Sequence, residues 1–540
     1  MKIQKSQNKI QPSALSQRIA VTILATVVSA VAINAGKPKL LVGIVVDGLQ
    51  QERLDLLRPH LSKNGFNRFL NEGVVIDNID FGTNVDAATA TAILMTGTSP
   101  NVNGVSGELV YEPTAKRVHH VFNDNSTMGN FTQETLSPKA LRVSTLSDEA
   151  RIAGAGVTYV HAISPDAAQA IVMGSHAGNS AIWFNEKTGN WASSVYYRDM
   201  PVAAMNANRT QPLSYRLETL EWTPSTVTAS ASDLPEHLVK YPFRYTFSQK
   251  DADKYAKYAG TPLINQDITK LAKEYITGLE LGRHEGTDVL NIAYNLQPYE
   301  WSKNPESRYE QYDSYVKLDE SLSQLFDLID KTVGRENAII YLSGTPLRSQ
   351  RRKDDVKWNI PGGEFSSRKA MSILNLYLIA LHGNGEWVKA FHNGNFYLNN
   401  DLAKSLNKDI SQIRRQAAEC LMKMSGVGSA YTIDDIIRST AQGTKAEGKM
   451  RNTIVSQSGD VIVELIPGWS LVDDFNIPNH KPTTTYVQAP STASFMISAP
   501  GYSPKRIETT VDARAIAPAI SGMLHIRSPN GANVPAVNLK

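Results

Sequence analysis

Residues 40–50 read LLVGIVVDGLQ. An unbroken apolar run of this kind is typical of a strand buried on both faces. It ends in an acid, Asp47, at the C-terminal edge where open α/β sheets place their sites. A second stretch, NVDAATATAILMTGTSPNVNGVSGE over 84–108, adds a small-residue run, a TGTSP turn and shaping glycines. Further on, TLSDEARIAGAG (145–156) reads as a helix with Thr or Ser near its cap, feeding the strand VTYVHAIS (157–164). TDVLNIAYN (287–295) is a strand, and LDESLSQLFDLIDKTVG (318–334) is an amphipathic helix with Leu318, Leu322, Leu325 and Ile329 on one stripe. Gly334 closes that helix before the strand NAIIYLSG (337–344). Alternation of this kind predicts an α/β fold, a doubly wound and mostly parallel sheet with helices on both faces.

Two polar, aromatic-rich stretches, near 177–262 and 355–450, break the rhythm and are expected to be cap insertions; there is no internal repeat. With 540 residues, 41% hydrophobic and 20% charged, the chain is globular and can bury one large core or two ordinary ones. A net charge of +3 is small for this size and gives no argument for a nucleic-acid partner. The lone cysteine, Cys420, cannot form an internal disulfide and is expected to pack on a helical apolar face.

The N-terminus carries Lys2, Lys5, Lys9 and Arg18 without an acid, then the apolar run IAVTILATVVSAVAI and the small-residue site Ala30-Val31-Ala32. The run is short for a membrane span and suits a signal peptide, with an uncleaved anchor as the alternative. Residues 1–35 are therefore expected to direct export, and 36–540 to form the folded part.

In their order along the chain, VGIVVDG, MTGTSPNVNGVSG, AISPDAAQAIVMGSHAGNSAIWFNEKTGNWASSVYY, GTDVLNIAYN, IPGGEF, SGDVIVELIPGW and IAPAISGMLHIRSPNG make the chain resemble the alkaline phosphatase superfamily. Within it, the resemblance is to bacterial periplasmic monoesterases that use a threonine nucleophile and two zinc ions. It implies a sheet of alkaline phosphatase type with cap insertions. Each zinc would need three or four N or O donors around an open position, about six Asp and His ligands in all.

Carried over position by position, the first ligand is Asp47. The nucleophile position, nine residues before Thr96, holds Ala87, which has no oxygen to attack phosphorus. Thr89 and Thr91 are near, yet the shift of two positions to Thr89 turns a side chain on a helix about 200° away. The phosphate-contacting asparagine falls on Glu108, and the Lys and Arg of the phosphate clamp fall on Asp166 and Ala168. The remaining metal ligands land on Asn295, Tyr299, Thr345, Pro346 and Thr485, with His480 several positions early. One of six ligands survives, so no metal or other cofactor is expected.

Outside that pattern, His119 and His120 are adjacent, which on a strand sends them to opposite faces. His176 lies in a glycine-rich turn and is expected to be a hydrogen-bonded structural residue. Arg348, Arg351, Arg352 and Lys353 follow the vanished ligand pair and could hold an anion, or form a loop paired to Asp354 and Asp355. The expected function is a catalytically inactive alkaline phosphatase-like protein with a binding, scaffolding or assembly role toward a protein partner. Its expected place is the periplasm or membrane-associated envelope of a Gram-negative bacterium. Two other classes compete: a hydrolase of phosphate or sulfate esters with a site rebuilt around Thr89 and one metal, and a metal-free anion-binding module using the basic loop.

Overall fold

The structure is a computed structural model that describes residues 37–83, 85–230, 241–304, 309–347, 362–438, 452–475, 483–486 and 492–540. The opening apolar run forms strand β1 (Leu40–Asp47), buried along its whole length. Its side chains alternate as the pleat requires: Leu40, Val42, Ile44 and Val46 enter one apolar core, Leu41 and Val45 the other. Around it stand β2 (Val74–Asp80), β3 (Val160–Ser164), β4 (Ser180–Asn185), β5 (Asn190–Ser194), β6 (Asp288–Asn295), β7 (Ala338–Thr345) and β8 (Thr492–Ser498). Their order is β2-β8-β7-β1-β6-β3-β4-β5, with short strands Lys505–Ile507 beyond β2 and Gly129–Asn130 beyond β5. The central five, β7-β1-β6-β3-β4, are parallel, whereas β8 and β5 run antiparallel to their neighbours. This is the mostly parallel α/β sheet expected.

Helices cover both faces. Of α1 (Ala87–Thr96), α2 (Leu146–Ala153), α3 (Ala167–Gly174), α4 (Pro262–Gly278) and α5 (Tyr309–Thr332), the last two supply Ile264, Ile268, Leu318 and Leu322 to the first core. The second core takes Ala90 and Ile93 from α1 and Ala170 and Ile171 from α3. Helix α2 opens with a capping box, in which the side chains of Thr145 and Asp148 each accept from the other's backbone N–H. Helix α5 begins at Tyr309, well before the expected Leu318, because tyrosines carry its first turns. Tyr309, Tyr312 and Tyr315 are buried there, and a search for a Leu/Ile stripe does not count them.

The first irregular stretch also starts later than expected. Strands β4 and β5 fall inside 177–262 yet extend the central sheet, since Ser180–Asn185 completes a βαβ unit with β3 and α3. Downstream, helices α6 (Ser367–His382) and α7 (Ile410–Leu421) pack on an antiparallel sheet of Val388–His392, Asn395–Leu398, Val461–Leu465 and Val427–Thr432. That unit has its own core, including Leu374, Leu378, Trp387, Phe391 and Phe396. Cys420 packs half-buried against it, and burial raises the pKa of its thiol. Among the described residues no helix is long and apolar enough to cross a membrane.

Candidate functional site

Parallel strands bring their C-terminal ends to one edge, and the register decides which side chains meet there. Asp47 is opposite Asn295 of β6 on one side and Thr345 of β7 on the other. Asp47 and Thr345 are both buried, and the Thr345 hydroxyl donates to the Asp47 carboxylate. Asn295 accepts from the Gln297 N–H at 2.9 Å through its side-chain oxygen and donates to the Ala259 carbonyl at 3.5 Å. Pro346 offers its backbone carbonyl, which accepts from Gln297 Nε2 at 3.1 Å.

The other two positions named as metal ligands are elsewhere. Tyr299 is buried in an aromatic cluster, edge-on to Trp222 and Tyr245 at centroid distances of 5.3 and 4.8 Å, and burial pushes its phenol pKa up. Thr485 is exposed on Thr483–Tyr486, a strand of a separate small sheet. His480 and the basic residues Arg348, Arg351, Arg352 and Lys353 lie outside the described residues.

Two helix N-termini reach the same edge, and each carries its own acid. Asp86 caps α1, accepting from the Thr89 N–H at 2.8 Å and, with its other oxygen, from the Glu108 N–H at 2.7 Å. It thereby joins the two positions, Ala87 and Glu108, where the resemblance places a nucleophile and a phosphate contact. Asp166 caps α3 through the Gln169 N–H at 2.8 Å, and Ala168 behind it is fully buried. Burial, followed by the charges of Asp86, Asp47 and Glu186, pushes the Asp166 carboxyl up to about 6. Three carboxylates thus share one field. The two helices are tied by Gln169 Nε2 donating to the Thr91 hydroxyl at 3.2 Å.

Thr89, the nucleophile of the rebuilt-site reading, is 1% exposed, and its hydroxyl is buried without a hydrogen-bond partner among the described residues. It faces packing rather than an incoming ester. Asp86 is not among the residues that the sequence singles out, and Asp166 stands there only as a reversed charge. The available signal was capping chemistry, since DAAT and DAAQ each place an acid three residues before a helical N–H it can accept from.

The remaining candidates are structural. His176 takes a 2.9 Å hydrogen bond between Nδ1 and Asp148, which raises its pKa. His119 and His120 share the strand Arg117–His120, and burial pushes His120 down to about 4. Among the described residues no group of three or more His, Cys, Asp or Glu is placed to hold a metal ion. The described donors at this edge do not fit the two zinc ions that the resemblance implies.

Compared with known proteins, residues 41–489 match the family model of type I phosphodiesterase / nucleotide pyrophosphatase. The chain belongs to this family. The phosphodiesterase-family chain is 26% identical to alkaline phosphatase PhoV of Synechococcus elongatus, over 98% of its own length and 94% of the relative's. It is 28% identical to a protein of Myroides odoratus named calcium-transporting ATPase, over 92% and 93%. Its fold superposes on the crystal structure of alkaline phosphatase PafA with a TM-score of 0.80 at 22% identity, covering 93% of this chain and 98% of the other. Membership of a hydrolase family, with full-length relatives named as phosphatases, overturns the expectation of an inactive binding or scaffolding protein. The hydrolase alternative describes this phosphodiesterase-family chain better.

Proposed function

We propose that the protein is a divergent hydrolase of singly charged esters, phosphodiesters first and sulfate monoesters second, working from the C-terminal edge of β1, β6 and β7. The observation that carries this reading is the family match, which runs across every strand that forms the edge. The charges at the edge then choose the substrate class. Asp47, Asp86 and Asp166 oppose an incoming anion. Each additional unit charge about 6 Å from one of them costs about 3 kcal/mol at an effective dielectric of about 20. A phosphomonoester dianion bears that cost twice, a diester or sulfate ester once.

Asp166 is the side chain at the edge suited to moving a proton. With a pKa near 6 it exchanges protons close to neutrality, as a general acid or base for water attack requires. Thr89 has no role here, because its hydroxyl is enclosed. The basic and then apolar N-terminal segment supports an exported protein, which cell fractionation would check.

The test is turnover by the purified full-length chain of an aryl phosphodiester, an aryl phosphomonoester and an aryl sulfate, alongside Asp166→Asn. Diester or sulfate hydrolysis should exceed monoester hydrolysis, and Asp166→Asn should lower it by roughly 10²-fold or more. No turnover of any of the three would overturn the reading.

A further inference from the structure

We infer that this edge has exchanged a metal-holding donor set for a self-satisfied hydrogen-bonded one, so that the protein neither takes up the two zinc ions of related phosphatases nor needs them to fold. Zinc sites are built from Cys, His, Asp and Glu donors converging on an open point, three or four to each ion. At this edge the groups at those positions are held in hydrogen bonds within the protein instead.

The Thr345 hydroxyl sends its hydrogen into one oxygen of the Asp47 carboxylate, so that oxygen already faces a positive end. Both ends of the Asn295 amide are engaged, by Gln297 N and Ala259 O. The Pro346 carbonyl accepts from Gln297 Nε2, so one glutamine bridges the ends of β6 and β7. Tyr299 is buried, with its ring packed edge-on against Trp222 and Tyr245 in an aromatic cluster. The nearby carboxylates of Asp86 and Asp166 serve as helix caps. A hydrogen-bond partner behind a metal ligand normally orients it toward the ion; here Asp47 is bonded to the neighbouring ligand position Thr345, and Asn295 and Pro346 are both bonded to Gln297.

This inference goes beyond the hydrolase reading and does not depend on it. The full-length chain is incubated with zinc, desalted and submitted to elemental analysis, and its thermal unfolding is followed with added zinc and with a chelator. The expected result is zinc content well below one ion per chain and a melting temperature unmoved by either addition. One or two zinc ions per chain that are lost in Asp47→Asn, with a melting temperature that falls on chelation, would overturn it. Diester turnover measured on the same samples keeps the two readings apart: zinc-free protein that turns over supports both. Zinc-free protein without turnover supports this inference and counts against the hydrolase reading alone.

Discussion

Thr345 donates its hydroxyl hydrogen to Asp47 across the β1–β7 pairing, both residues buried at the C-terminal ends of their strands. A buried carboxylate that loses a donor bears the desolvation cost of the vacated oxygen. Thr345→Val, which keeps the β-branched shape, is therefore expected to destabilise the fold by about 1–3 kcal/mol. Urea titration of the variant against the parent at pH 7 checks this.

Asp166 supplies a prediction of opposite sign. Its carboxyl is raised in the folded protein to about 6 from an ordinary 3.8, so the folded state binds more protons than the unfolded one between those values. Its contribution is thus most favourable below pH 4 and is lost as pH rises through 6. Asp166→Asn keeps a good helix cap and removes the charge. The variant should gain up to about 3 kcal/mol at pH 8 and little at pH 4, on the scale of about 1.4 kcal/mol per pKa unit. A parallel gain at both values would show that charge is not the cause.

Two histidines, His161 buried and His120 half-buried, shape the acid limb. His120 and His161 are pushed down to about 4 and about 3, in both cases chiefly by burial. Such groups are neutral in the fold, so their contribution is complete above about 6.5 and declines as pH falls from there toward the folded values. Each should steepen the loss of stability by as much as about 1.4 kcal/mol per pH unit. His161→Phe, retaining the ring that meets Tyr275 edge-on, should flatten the pH dependence between 6.5 and 4 in thermal melts.

Thr89→Val removes a hydroxyl that is buried without a partner among the described residues. The change should stabilise the protein or leave it within about 1 kcal/mol, since a buried unsatisfied polar group is a cost. Ester turnover should not change. Loss of turnover with an intact fold would return Thr89 to the role of nucleophile.

Much of the framework was legible because burial on both faces leaves an unmistakable trace. The run at Leu40–Asp47 and the strand over 287–295 were readable from apolarity alone, and the register they imply brings Asp47, Asn295 and Thr345 side by side. The early start of α5 was hidden because its buried face is written in tyrosines, with Glu310 held by Tyr245 at 2.6 Å and by Ser302 at 2.7 Å. β5 was missed because NWASS carries one large apolar residue in a short edge strand. At the site, the positions that the resemblance assigns could be numbered from sequence, but the acids that cap α1 and α3 could not be given partners. Glu108 lies 22 residues from Asp86, and only the fold brings its N–H to that carboxylate.

The carboxylate of Asp86 also sets a limit on what this edge can retain. Tethered to the chain, it competes for the Thr89 and Glu108 N–H groups at an effective concentration of the order of millimolar or more, whatever the surroundings contain. A free anion of low affinity is displaced from those donors as soon as it forms. The phosphomonoester left by a diester, or the sulfate left by a sulfate ester, would then leave this edge quickly, and turnover would run with little inhibition by its own product.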